Sequence, residues 1–325
     1  MLFFAPLRFS SPQILPYAAP KVNTEAPAAE YNGTEEVMRL KFAVVGGDTR
    51  LVRLAELLRR DGHRVCTYAL ERADLAEEIP KAGCLQGCVY GADCVVLPTP
   101  AEAGGFLFAP FSGEKLRAEE LVSALWQGQR LFGGRLGDGL CLAALRQGLV
   151  VEDLLRRADF AAGNAALTAE GALGVLMAES DKSLWRSRVL VLGWGRIAKF
   201  LTLRLLGLGA RASVAARRAE ARVTAAALGA ESFPFSELES RIGDFDFIVN
   251  TVPARVIGDG ALCAAAEDAL LLELASAPGG FDRSLADNIG LRAIAAPGLP
   301  GRCAPRRAAE LMREAICASL EEGDA

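Results

Sequence analysis

Arg188-Val-Leu-Val-Leu-Gly-Trp-Gly-Arg-Ile-Ala198 decides the reading of this 325-residue chain. Val189 to Leu192 form a short apolar run that suits a strand buried on both faces of a parallel sheet. Gly193-Trp-Gly195-Arg-Ile-Ala198 follows, and Ile197, Leu201, Leu205 and Leu208 then recur at helical spacing. Strand, glycine turn and helix in that order are the context in which such a pattern binds a dinucleotide. Gly193 is expected to make the tight turn, Gly195 to let the backbone approach a pyrophosphate, and Ala198 to allow close helix–strand packing. Arg196 and Ile197 open the helix, whose N-terminal N–H groups and dipole favour an anion. The competing explanation is that a βα turn needs its glycines for steric reasons alone.

Toward the C-terminus, the strand Ala212-Ser-Val-Ala-Ala216 ends in Arg217-Arg218, with the first acid at Glu220. An NAD site places an acid here for the ribose 2′-hydroxyl, and an NADP site places an arginine for the 2′-phosphate. The position is about 20 residues past the glycines, as the geometry requires, so these residues point to NADP over NAD. Cations are mildly unfavourable at a helix start, which argues for a functional reason. Asn250-Thr-Val-Pro253 and Glu273-Leu-Ala-Ser-Ala-Pro-Gly-Gly280 close later strands at the ligand-bearing edge. Thr251, Val252, Pro253 and Ala275 are therefore further cofactor-binding candidates.

Toward the N-terminus the same unit recurs. Phe42-Ala-Val-Val-Gly46 reads as a buried strand, Gly47 as the turn, Asp48 to Leu58 as a helix and Arg64 to Tyr68 as a returning strand. A third strand is expected at 93–97, then a glycine-rich loop from Gly104 to Lys115, a helix at 118–126 and a strand from Arg130 to Phe132. Val151 to Phe160 is expected to complete this sheet. A helix from Asn164 to Met177, capped by Asn164 or Thr168, bridges the halves. In the second half, strands are expected at 212–216, 245–250, 269–274 and 291–295, with helices between them. Pro305 to Leu320 carries apolar residues at 308, 311, 312, 315, 316 and 320, a helix able to return to the first domain.

The fold class implied is α/β, with two doubly wound Rossmann-like parallel-sheet domains, a cleft between them, and a C-terminal helix packing back on the first domain. The expected divisions are 38–160 for the first, substrate-side domain, 161–186 for the linking helix, 187–300 for the NADP-binding domain and 301–325 for the returning helix. Residues 1–37, with prolines at 6, 12, 16, 20 and 27 and no sustained periodicity, read as a disordered or artefactual extension. They lack the charged start and apolar core of a signal peptide.

Hydrophobic content of 51% with 33 glycines suits an α/β protein with large cores. With 36 basic and 40 acidic residues the net charge is −4, which gives no electrostatic case for nucleic acid or a membrane surface. Asp93 and Glu273 interrupt the best candidates for a membrane-spanning run. The eight cysteines are scattered and there is one histidine, so no metal site is expected, and free thiols in a reducing cytoplasm are. That histidine, His63, falls in a helix-to-strand turn, at the sheet edge remote from ligands, and reads as structural.

Several motifs outside the fingerprint carry a family resemblance: Val44-Val-Gly-Gly-Asp-Thr-Arg50, Phe111-Ser-Gly-Glu-Lys115, Thr168-Ala-Glu-Gly-Ala172, Ala275-Ser-Ala-Pro-Gly-Gly280 and Ala296-Pro-Gly-Leu-Pro-Gly-Arg302. With them, from Met38 to about Leu320, the chain resembles the A subunit of dipicolinate synthase from endospore-forming bacteria. It departs from that pattern at Ala165-Ala166-Leu167, where bulkier residues are expected, and in residues 1–37. The resemblance implies NADP-dependent oxidation of dihydrodipicolinate to pyridine-2,6-dicarboxylate, in the mother-cell cytoplasm of a sporulating bacterium, beside a flavoprotein-like B subunit.

A substrate with two carboxylates asks for cations and N–H-rich loops. Arg50 lies at the first turn after the first strand, and Lys115 and Arg302 lie in glycine-rich loops. Thr49, Ser112, Asn164 and Thr168 complete the substrate-side candidates. Oxidation of a dihydropyridine moves a hydride and removes a proton, for which a base is useful. Glu170 and Asp48 are the candidate carboxylates for that catalytic base, each also readable as a helix-start residue serving the dipole. Two other readings stay open: a shikimate-type or 2-hydroxy-acid dehydrogenase, the first kept alive by Lys115, and an NADP-binding sensor without turnover. A homo-oligomer is compatible with all of them.

Overall fold

Two parallel sheets, each begun by an apolar strand and a glycine turn, organise residues 39–323, those that the computed structural model describes. The expectation for residues 1–37 lies outside the described residues. In the first sheet β1 (Lys41–Val45), β2 (Arg64–Tyr68) and β3 (Cys94–Val96) are followed by a small antiparallel pair, β4 (Glu102–Ala103) and β5 (Phe106–Leu107), and then by β6 (Arg130–Gly133) and β7 (Val150–Asp153). The main strands are ordered β2-β1-β3-β6-β7, all parallel. This order reverses direction between β1 and β3, the point at which such sheets bind ligands.

Alternation along β1 sends its side chains to two cores. Phe42 and Val44 pack with α1 (Thr49–Arg60), while Ala43 and Val45 pack with α2 (Leu85–Val89), α3 (Ala118–Ala124) and α4 (Asp138–Arg146). Burial pushes the Cys94 thiol up to about 12, so it stays protonated in the sheet. His63, 8% exposed, lies against the Phe42 ring at 5.0 Å, and desolvation lowers its pKa below the ordinary value.

The second sheet contains β8 (Arg188–Leu192), β9 (Arg211–Ala215), β10 (Glu231–Phe233), β11 (Phe247–Asn250), β12 (Leu270–Glu273) and β13 (Arg292–Ala295). Its order is β10-β9-β8-β11-β12-β13, parallel throughout, and it reverses between β8 and β11. That is the dinucleotide-binding strand order. One face packs on α5 (Ala158–Ala178), α6 (Arg196–Gly207) and α7 (Ala219–Ala227). The other packs on α8 (Leu238–Arg241), α9 (Asp259–Cys263) and α10 (Arg283–Asn288). After β13 come α11 (Leu299–Cys303) and α12 (Pro305–Gly323).

Helix α12 returns to the first sheet as the sequence pattern implies: Ala309, Met312, Ala315 and Ile316 share a core with Leu51, Leu54 and Leu58 of α1. Helix α5 joins the halves. Phe160 at its start belongs to the first-sheet core, and Ala169, Ala172, Leu173 and Leu176 belong to the second. A Cβ at Gly163 would strike Leu311 of α12, and one at Gly171 would strike Leu299 of α11, so glycine permits the close approach at both levels. By length and composition α5 could cross a membrane, but more than half of it is buried inside the fold, as in a core helix.

Two expectations are corrected. Val151 to Phe160 is not one strand: β7 ends at Asp153, a 3₁₀ turn covers Leu154–Arg156, and α5 begins at Ala158. Asn164 and Thr168 are therefore interior residues of α5 rather than its caps, and the Thr168 hydroxyl donates to the Asn164 carbonyl at 2.7 Å. Arg157 holds the N-cap position without a side-chain bond to the first turn, so the sequence offers no cap signal at the true start.

Candidate functional site

The turns after β1 and β8 are the same local unit, finished differently. After β8, Gly193 takes φ +97°, and a Cβ there would lie 2.7 Å from Val252 Cγ2 and 2.8 Å from Thr251 Oγ1. Its glycine is a steric requirement. Gly195 is another matter. At φ −78° its backbone suits any residue, and among the described residues nothing lies within 4 Å of where its Cβ would be. It caps α6 with no side-chain bond, and the first turn of α6 holds no acid. Among the described residues nothing gives a reason for glycine at 195, and the N–H groups beyond it have no side-chain cap there and suit an outside acceptor. Ala198 is fully buried beneath the turn, in the packing role expected of it.

Thr251 donates through N (3.2 Å) and Oγ1 (2.7 Å) to the Leu192 carbonyl, fixing the loop after β11 against the end of β8. Asn250 pairs in register with Leu192 and Glu273. Its Nδ2 donates to Glu273 Oε1 at 2.8 Å, and the same carboxylate accepts from Ala275 N (2.9 Å) and Gly280 N (2.7 Å). A buried acid with no ion-pair partner among the described residues thus clamps the loops after β11 and β12. At the end of β9, Arg217 and Arg218 are exposed, and their side chains have no partner among the described residues. Arg222 reaches back to donate to the carbonyls of Ala216 (3.0 Å) and Arg217 (2.9 Å).

After β1 the chain fills its own turn. Asp48 caps α1, accepting from Arg50 N at 3.0 Å and from the Arg50 guanidinium at 2.8–3.2 Å. Arg50 is only 3% exposed and also donates to the Thr99 carbonyl. A Cβ at Gly47 would meet Leu51, and one at Gly301 of α11 would meet Asp48 and Arg50.

Two adjoining cavities, about 310 and 140 Å³, run between these turns and share Arg135, Leu155, Asn164 and Ile197. The larger reaches Gly195, Arg196 and Thr251; the smaller reaches Arg50, Thr99, Thr168 and Gly298 to Pro300. Thr99 is 5% exposed, and its hydroxyl has no hydrogen-bond partner among the described residues. Among the described residues lining these cavities there is no Asp, Glu, His or Lys. The cleft is cationic in a chain whose net charge is negative.

The structure brings together Arg50, Asn164, Thr168, Gly195, Arg196, Ile197 and Thr251 from the expected set. Glu170 is a correction. It sits on the exposed side of α5, 3.3 Å from Arg204 of α6, and two residues along a helix from Thr168 turns it away from the cleft. Asp48 is committed to Arg50 and to the helix cap. Lys115 lies over the Phe106 ring at 5.5 Å, Ser112 Oγ accepts from Glu114 N at 3.1 Å, and Thr49 and Arg302 lie outside the cavity lining. Pro253 is exposed, Val252 packs under Gly193, and the Ala275 N–H is taken by Glu273. Arg135, Thr99 and Arg222 escaped the sequence reading, which placed Asn250 and Glu273 in strand-ending motifs but gave their side chains no role. Only for the Asn250–Glu273 pair was there a signal, two polar residues ending adjacent apolar strands.

Residues 41–155 match the family described as the N-terminal domain of the dipicolinate synthase A subunit. The A subunit of dipicolinate synthase from Bacillus subtilis (strain 168) is 28% identical over 294 residues, covering 87% of this chain and 96% of that one. Over most of its length the chain is thus similar to a dipicolinate synthase A subunit, and the family match covers its first domain. The crystal structure of the B. subtilis protein superposes with a TM-score of 0.76 over the same shares of the two chains. The corresponding structure from Bacillus halodurans, 25% identical, gives 0.79 over 86% of this chain and 97% of that one. A transhydrogenase from Sinorhizobium meliloti, 18% identical, shares the fold, with a TM-score of 0.63 over 86% of this chain and 93% of its own. The Asp48–Arg50 turn, Thr99 and Arg135 all fall within the part that matches the family's N-terminal domain.

Proposed function

We propose that the chain is an NADP-dependent dehydrogenase that oxidises dihydrodipicolinate to dipicolinate, in the cytoplasm of a sporulating mother cell and beside a B subunit. The observation that carries this reading is the cleft: an uncapped glycine turn at one end, a buried arginine at the other, and no side-chain base between.

The residues present fit a dinucleotide. Gly195 leaves room that the protein does not use, Arg196 stands exposed at the first position of α6, and Arg217 and Arg218 stand free where a 2′-phosphate lies in this fold. Bound there, the nicotinamide supplies a hydride acceptor. The chain's own groups have the other tasks. Arg50, Asn164 and Thr168 would hold the anionic substrate against the cofactor end of the cleft. Net oxidation moves a hydride to NADP⁺ and releases one proton. Aromatisation of the ring drives the loss of that proton, so water suffices as acceptor and a protein base is dispensable. A 2-hydroxy-acid oxidation lacks this driving force and calls for a His or Lys at the alcohol; neither lines the cavities, and Lys115, which a shikimate-type enzyme would need, lies elsewhere.

The test is absorbance at the reduced-nicotinamide band, with freshly generated dihydrodipicolinate and NADP⁺ or NAD⁺, with and without a B subunit. Formation of NADPH is expected. No reduction in any mixture, despite tight NADP⁺ binding, would establish the sensor reading instead.

A further inference from the structure

We propose that Arg135 holds the second carboxylate of the substrate and that its turn is built to present it, an inference that rests on the dehydrogenase reading above. Arg135 has φ +53°, in the left-handed region that an arginine rarely adopts and that glycine or asparagine takes readily. Such a conformation persists only where its surroundings impose it, and it gathers at ligand sites. Here Asp153 imposes it. One carboxylate oxygen accepts from Arg135 N (3.0 Å) and Leu155 N (2.9 Å), and the other accepts from Leu136 N (3.2 Å). Asp153 lies level with Gly133 in the β6–β7 register, so the clamp grips the backbone just past the end of β6.

The side chain receives none of that support. It is exposed, has no partner among the described residues, and lines both cavities. An arginine that strains its backbone, with a side chain that has no hydrogen bond or ion pair among the described residues, is accounted for by something in the cleft. Its counterpart is Arg50, whose Nε and Nη2 are held by Asp48 and the Thr99 carbonyl, beside the unpartnered Thr99 hydroxyl. One cation is fixed and buried, and the other is exposed and adjustable. The Arg50–Thr99 seat takes one carboxylate and the Arg135 fork takes the other. Asp153 acts through Arg135 and is a positioning residue.

Calorimetric titration of the full chain with pyridine-2,6-dicarboxylate and with pyridine-2-carboxylate, at saturating NADP⁺, tests this. Wild type is expected to prefer the dicarboxylate. Arg135→Gly should lose about 10- to 100-fold in dicarboxylate affinity and bind the two acids alike. It should retain NADP⁺ binding and unfold no lower than wild type, because glycine relieves the strained backbone. In turnover its KM should rise far more than its kcat falls, and Asp153→Asn should show a weaker form of the same pattern. An undiminished preference for the dicarboxylate in Arg135→Gly would overturn the assignment while leaving the dehydrogenase reading intact. Binding of neither acid by wild type, without NADPH formation, would remove both.

Discussion

In the first sheet the turn after β1 is closed by the chain itself. Asp48 supplies the anion that a helix N-terminus attracts, Arg50 neutralises it, and Gly301 of α11 packs on the pair. In the second sheet the turn after β8 has the same strand, glycines and helix, yet Gly195 leaves α6 uncapped and faces open space. The difference assigns the work. A filled turn serves as a rigid wall that holds one buried cation at the cleft, and an open turn is available to a pyrophosphate. Glycine content does not separate them, because Gly46 and Gly47 are as strained in φ as Gly193. The presence or absence of an internal carboxylate does.

The largest effect should come from opening the closed turn. Asp48→Ala removes the α1 cap and leaves Arg50, 3% exposed, without its carboxylate. Stability should fall by about 3–5 kcal/mol, read by chemical unfolding, with the residual folded protein still binding NADP⁺. The reciprocal change, Gly195→Asp, gives the second turn the cap of the first. NADP⁺ affinity should drop by about 100-fold, worth about 2.7 kcal/mol, while the melting temperature holds or rises. Unaltered binding in that variant would erase the contrast between the turns. Next in size, Arg217→Ser with Arg218→Ser should weaken NADP⁺ about tenfold, roughly one charge-assisted contact, and leave NAD⁺ unchanged. Equal loss for both nucleotides would place the arginines away from the 2′-phosphate.

The smallest effect concerns the lone histidine, far from either turn. Burial lowers the pKa of His63, so the folded chain holds the neutral form more tightly than the unfolded chain does. The unfolded chain then binds the extra proton first, and this contribution to stability is lost as pH falls through the ordinary value near 6.5 toward the lower folded value. A His63→Phe variant should flatten that acid limb of stability against pH, with NADP⁺ binding unaffected. A limb of the same slope in the variant would assign it to other groups.

Much of the fold was legible because strand burial and helix amphipathicity are local. The run Val189 to Leu192 and the α12 pattern predict their own packing, and both sheets follow. The start of α5 was hidden because no side chain caps it, and β10 because three residues are too short to show alternation. At the site, the glycine spacing located the open turn. Arg135 was invisible because its role rests on a backbone angle and on Asp153, 18 residues away in sequence. Glu170 was misread for a related reason. The sequence shows that it lies on a helix near the cleft, and only packing shows that α6 and Arg204 claim it.

Amide hydrogen exchange with and without saturating NADP⁺ tests the contrast between the turns most directly, since both lie in one chain and serve as each other's control. The account predicts new protection at Gly195 to Ala198 and no change at Gly46 to Arg50. Protection that appears at the first turn, or equally at both, would contradict it.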